Sequence, residues 1–157
     1  PPPRLAPVGP APRARDHFHA VTIDGRIYAA GGRRSGAEKP VFAATVAEVD
    51  VYDIAKHRWS TLPPGANLPT LRAGTMAVNW ADKLLVMGGE SPDQKAGHGE
   101  VEWYDPSTSQ WSRLADMKTP RHGAQAVVNS RGVLVAGGSG NRGGGPELVS
   151  IELLEIP

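Results

Sequence analysis

No cysteine occurs among the 157 residues. That excludes a disulfide framework, a thiolate nucleophile and any cysteine-ligated zinc or iron–sulfur centre within this chain. An excess of charge is also missing. Lys plus Arg number 17 and Asp plus Glu number 16, a formal net charge of +1, which gives no electrostatic footprint for nucleic acid or an anionic membrane. No apolar run approaches the ~20 residues of a membrane-spanning helix. No segment repeats its apolar residues with a helical period, so helices are not expected. The chain opens on Pro1 rather than Met, which reads as a processed product or an excerpt, and no targeting signal is legible. What is present suits a folded domain: 39% apolar and 21% charged residues, with 19 glycines and 15 prolines for turns.

The sequence repeats itself. Gly-Gly pairs close three short apolar runs: Ile27 to Ala30 before Gly31-Gly32, Leu84 to Met87 before Gly88-Gly89, and Val133 to Ala136 before Gly137-Gly138. Runs apolar at every position read as strands buried on both faces. An arginine stands sixteen residues before each first glycine, at Arg15, Arg72 and Arg121, and an Ala-Val pair lies between, at Ala20, Ala77 and Ala126. Downstream, Glu48-Val49-Asp50-Val51-Tyr52-Asp53 matches Glu100-Val101-Glu102-Trp103-Tyr104-Asp105, and Trp59 and Trp111 each follow seven residues after the tyrosine. The alternating segment reads as a third strand and the tryptophan segment as a fourth.

A unit of ~50 residues with four strands is one blade of a β-propeller. The double glycine, the tyrosine with tryptophan seven residues on, and the arginine opening the next unit resemble the kelch repeat. The expected fold is all-β, with kelch-type four-stranded blades over about residues 15–62, 72–114 and 121–156. The third unit ends without a tryptophan strand, and carries Leu154-Glu155 where the others have Tyr-Asp. Residues 4–8 are expected to supply a closing strand, because Leu5 precedes Arg15 by ten residues as Leu62 precedes Arg72. Three blades are fewer than the four to eight of a closed propeller. Two arrangements fit: further blades of the same chain, or a head-to-tail homodimer that completes a six-bladed ring.

Candidate contacts lie in the loops after the double glycines and at the repeated arginine. Long polar loops on a rigid scaffold are where binding concentrates, which singles out Arg33, Arg34, Asn141 and Arg142. Arg15, Arg72 and Arg121, with His122 beside the last, stand near the expected channel. Two readings of the arginines stay open: a ring of guanidinium groups for a carboxylate or other anion, or structural bonds to loop carbonyls and a neighbouring acid. His17 and His19 share one face of an expected strand, but two ligands do not make a metal site, and no metal or cofactor is expected. Gly138-Ser139-Gly140-Asn141-Arg142-Gly143 matches the dinucleotide fingerprint literally. No helix can follow it, since Gly144-Gly145-Pro146 comes next, so a turn or anion-binding nest is expected instead.

The leading functional expectation is a non-catalytic scaffold that presents these loops to a protein or carbohydrate ligand. The kelch resemblance also implies an alternative, a carbohydrate-active enzyme of the sugar-mutarotase or galactose oxidase-like type with its site shared among further blades. The oxidase chemistry of that resemblance needs a cysteine-linked tyrosine, which this segment cannot form. Sugar mutarotases of this type use acidic and basic channel residues, and Glu90 or Glu147 with the arginines would imitate them. No compartment is legible, with an extracellular or cell-surface setting favoured.

Overall fold

The computed structural model describes residues 3–37 and 40–155. Eleven short strands among them form three antiparallel sheets in sequence order. The first sheet holds β1 (Ala20–Ile23), β2 (Arg26–Ala29), β3 (Asp50–Asp53) and β4 (Arg58–Thr61). The second holds β5 (Met76–Trp80), β6 (Lys83–Met87), β7 (Val101–Asp105) and β8 (Gln110–Arg113). The third holds β9 (Gln125–Asn129), β10 (Gly132–Ala136) and β11 (Ile151–Leu154), and lacks a fourth strand. These sheets match the three blades expected from the repeat, the third one strand short among the described residues. A turn of 3-10 helix, Pro64–Ala66, lies in the link between the first two.

Each sheet is an antiparallel meander whose first hairpin closes with a two-residue turn. Asp24 and Gly25 both take positive φ, 44° and 68°, between β1 and β2, the backbone of a tight two-residue hairpin. The seven-residue spacing of tyrosine and tryptophan is the register of the next hairpin. Tyr52 stands opposite Trp59, and Tyr104 opposite Trp111, with ring centroids 5.2 Å and 5.4 Å apart.

The core lies between blades. Val21, Ile23, Tyr28, Val49 and Val51 of the first blade meet Ala77, Leu84, Val86 and Tyr104 of the second. Leu85, Met87 and Val101 on the far face of the second meet Ala126, Val133 and Val135 of the third. The middle strand of the second blade is thus covered on both sides, Leu84 and Val86 facing the first blade and Leu85 and Met87 the third, which is why its run before the glycines is apolar throughout. Trp111 adds a directional bond, donating its indole N–H to the Ala66 carbonyl at 2.9 Å.

Two boundaries differ from the sequence reading. The innermost strands begin four or five residues beyond the arginine, not at it, because the intervening backbone is turned to fold the arginine side chain under the sheet. Residues 4–8 form no strand in the single chain, and Leu5 is fully exposed. Ile156, the last residue of the expected third unit, lies outside the described residues.

Candidate functional site

The repeated arginine fixes each blade from within. The side chains of Arg15, Arg72 and Arg121 are 4%, 0% and 0% exposed. Each pairs with an acid on the third strand of its own blade: Arg15 with Asp50, Arg72 with Glu102 and Arg121 with Glu152, at 2.5–2.7 Å. The remaining N–H groups go to main-chain carbonyls. Arg72 donates to Gly88 at 2.7 Å, Thr70 at 2.8 Å and Val86 at 3.2 Å. Arg121 donates to Thr119, Gly137 and Ser150, and Arg15 to Ala29, Gly31 and Glu48. A guanidinium has five donors, and here they are spent inside the blade. That geometry fits the structural reading of these arginines, with their side chains sealed from the channel. Burial pulls the Arg15 and Arg72 groups below the usual arginine value, opposed by their acids. Burial pushes Glu152 up, but hydrogen bonds from the Lys118 and Thr119 amides and from Arg121 outweigh it and leave its carboxyl below the usual range.

The acidic partners were missed in the sequence, although a signal was there. Asp50, Glu102 and Glu152 share one register, two residues before Tyr52, Tyr104 and Leu154. A buried arginine in every repeat requires a counter-charge in every repeat.

The other expected contacts gather around a second carboxylate. The residue after each double glycine is Arg33, Glu90 or Ser139, and each bridges to the residue after a blade arginine, Asp16, Ala73 or His122. Glu90 is 3% exposed and sits where all three blades meet. Its Oε1 accepts from Arg33 of the first blade. Its Oε2 accepts from the Gly143 amide of the third at 2.7 Å and lies 3.5 Å from His122 Nε2. His122 Nε2 also lies 2.7 Å from the Asn141 carbonyl. A carbonyl can only accept, so this nitrogen carries the proton. Burial raises the Glu90 carboxyl, yet the Gly143 amide, Arg33 and His122 together hold it below the usual glutamate value.

Phe42 ties the cluster to the outer loops. Its ring takes the Arg33 guanidinium at 4.8 Å and that of Arg142 at 5.4 Å from the centroid, within reach of cation–π attraction. Arg142 also donates to the Pro92 carbonyl at 2.7 Å, and the Lys95 carbonyl accepts from the Arg142 amide at 2.7 Å. The loops after the double glycines are therefore braced to one another across two blade boundaries. The segment that imitates the dinucleotide fingerprint is part of this brace. No helix follows it, and Gly143 offers its N–H to the protein's own carboxylate.

Of the expected contacts, Arg33, His122, Asn141 and Arg142 come together here. Arg34 is exposed and lines a separate hollow with Arg13, Thr45 and Glu48. Among the described residues, neither it nor Lys95 is in an ion pair. His17 is bound to Asp16 at 2.6 Å. No group of three or more potential metal-ligating side chains occurs among the described residues. A Ser91–His98–Glu100 relay, unseen in the sequence, has both links at 2.8 Å. Its serine is 0% exposed, so it has no access to a substrate and serves to pin the loop.

Comparison with known proteins decides the family. The sequence family described as the KLHDC2/KLHL20/DRC7 Kelch-repeats domain matches residues 3–138. The chain belongs to the kelch-repeat family. Kelch-like protein terF of Aspergillus terreus is 30% identical over 130 residues, covering 81% of this chain and 27% of that protein. Alpha-scruin of Limulus polyphemus is 27% identical over 131 residues, 80% of this chain and 13% of that protein. Kelch-like protein 34 of Homo sapiens is 31% identical over 119 residues, 69% of this chain and 18% of that protein. This kelch segment thus spans about an eighth to a quarter of the length of these relatives. On the kelch scaffold Arg33 and Glu90 stand directly after double glycines, and His122 directly after a blade arginine.

Proposed function

We propose that this kelch segment is a protein-binding scaffold whose contact surface is the braced loop face. One observation carries the reading. Glu90 draws Arg33, His122 and Gly143 together from three segments of the chain, so three long loops form one preorganised surface. A surface ordered beforehand loses less freedom on binding. On the three loops that the brace joins, Arg34, Lys95, Val41 and Val149 are exposed, a mixture of cationic and apolar groups suited to a protein partner. Its kelch-like relatives support a protein partner over a sugar.

The carbohydrate-enzyme reading gains nothing from this cluster. Glu90, the carboxylate expected to imitate a sugar mutarotase, is buried and held by its own neighbours. The test is capture of partner proteins by the immobilised chain, in parallel with a sugar turnover panel. The Arg34→Glu, Lys95→Glu double variant should lose the captured protein. Lys56→Glu, on the opposite loop face, should keep it. Capture unaffected by the double variant, or sugar turnover abolished by it, overturns the assignment.

A further inference from the structure

Between the first two blades the chain carries charge that the repeat does not require. Across β2, β3 and β4 the strand register sets Arg26 opposite Asp53 and Asp53 opposite Arg58, one row of three side chains. The row lies on the face that the first blade turns to the second. Tyr28 and Val51, two residues along on the same side, pack into the core there. Asp53 is engaged by Lys56. Its Oδ1 accepts from the Lys56 amide at 2.9 Å, and its Oδ2 lies 3.1 Å from the ammonium. These contacts hold the carboxyl below the usual aspartate value, so Lys56 and Asp53 cancel. The two arginines that flank them are left over, and among the described residues neither is in an ion pair.

The row borders a hollow of about 280 Å³. Apolar Val51 and Leu62 line it, with the hydroxyl-bearing Tyr28 and Ser60. Tyr28 is 3% exposed, and Arg26 stands beside its hydroxyl. Burial raises that hydroxyl above its usual value, so it keeps its proton. An oxygen facing a guanidinium accepts from it, which leaves the O–H to donate.

The second blade shows that the scaffold can do without this arrangement. Lys83, Trp103 and Gln110 stand where the first blade has Arg26, Val51 and Arg58. Lys83 is taken up by Asp105 at 2.7 Å and lies over the Trp103 ring at 5.6 Å from its centroid. That side is neutral, with an indole in place of the small valine. Two uncompensated guanidiniums beside a hollow are therefore particular to the first blade.

We propose that the hollow beside Arg26 and Arg58 binds a phosphate monoester, its phosphoryl group between the two guanidiniums and its organic stem on Val51 and Leu62. Such a group carries a charge of about −1.5 to −2 at pH 7 and three acceptor oxygens. It matches two leftover cations whose planar forks suit phosphate, together with the Tyr28 O–H. A single carboxylate would leave one arginine unmet, and inorganic phosphate would leave the apolar wall uncovered. The site lies at the opposite end of the blades from the braced loops and does not depend on their role.

The experiment is calorimetric titration of the chain with phenyl phosphate. Saturable one-to-one binding is expected at about millimolar strength, the range of so small a fragment. Arg26→Gln and Arg58→Gln should each weaken it about tenfold. Both side chains are exposed, so the circular dichroism spectrum should not change. Val51→Trp copies the second blade and should block binding with both guanidiniums retained. Arg131→Gln removes a cation from the equivalent hairpin of the third blade and should bind as wild type. Inorganic phosphate and benzoate should bind more weakly than the ester. A phosphotyrosine peptide that binds tighter than phenyl phosphate would place the ester on a protein, and equal binding would place it on a small molecule. Absence of saturable binding, or an equal loss with Arg131→Gln, overturns the proposal. Inorganic phosphate bound as tightly as the ester overturns the organic stem, and benzoate bound as tightly overturns the phosphoryl group.

Discussion

Arg33 of the first kelch blade and Glu90 of the second form a buried ion pair across a blade boundary. The arginine is 6% and the glutamate 3% exposed. The pair differs in kind from the Arg–acid pairs inside each blade, because neither partner is placed by its own sheet. It couples two loops, and through Gly143 and His122 a third.

Removing one member should therefore cost more than a surface contact. Glu90→Ala strands the Arg33 guanidinium in a dry site, a loss of about 3–5 kcal/mol. The Arg33→Met, Glu90→Met double variant should recover most of it, since an apolar pair leaves no charge uncompensated. Chemical denaturation of Arg33→Met, Glu90→Met and the double variant gives the coupling. Additive losses would show that the two residues act separately.

Acid should weaken the fold through carboxylates held below their usual values. Glu90, Glu100 and Glu152 are all depressed, burial being outweighed by hydrogen bonds and facing cations. A depressed carboxyl stabilises the fold fully above its unfolded value, near 4.5 for these glutamates, and loses that contribution as pH falls through the folded value. Tm should stay flat from pH 7 to about 5 and decline below about 4.5. Glu90→Gln should show a shallower decline than wild type. An equal slope would remove Glu90 from the acid response.

Gly88 admits no side chain. Its φ is +60°, and a Cβ would stand 2.3 Å from the Arg121 carbonyl oxygen and 2.6 Å from the Met76 methyl. Gly88→Ala combines left-handed strain with a backbone clash and should cost about 2 kcal/mol or more. Gly36→Ala, where a Cβ meets nothing within 4 Å, is the control and should be near neutral. Thermal unfolding of the pair checks both.

Thr75 predicts a gain. Its hydroxyl is buried with no hydrogen-bond partner among the described residues. Thr75→Val keeps the shape and removes the unpaired group, and should stabilise by about 1 kcal/mol. A loss of stability would mean that the hydroxyl makes a bond in solution.

The blades were legible in the sequence because their determinants are local. Double glycines, a seven-residue tyrosine–tryptophan spacing and apolar middle strands each report a turn or a face within one repeat. The Arg33–Glu90–His122 brace was not, although all three residues drew notice singly. Its members lie 57 and 32 positions apart, and only the stacking of blades brings the three post-glycine loops together. The start of the inner strands was misplaced for a related reason. An arginine directed under its own sheet occupies four or five residues of turned backbone, which periodicity cannot register.

The Arg–acid pairs carry a consequence for how such proteins change size. Each arginine finds its counter-charge on the third strand of its own repeat, so a duplicated repeat arrives electrically complete. Adding or deleting one leaves no orphaned ion in the interior, and the neighbours need only match an apolar face. Blade number in this architecture can therefore drift by whole-repeat duplication without a compensating mutation elsewhere. The Glu90 brace has no such freedom: it belongs to one order of three particular blades, and shuffling them would break it.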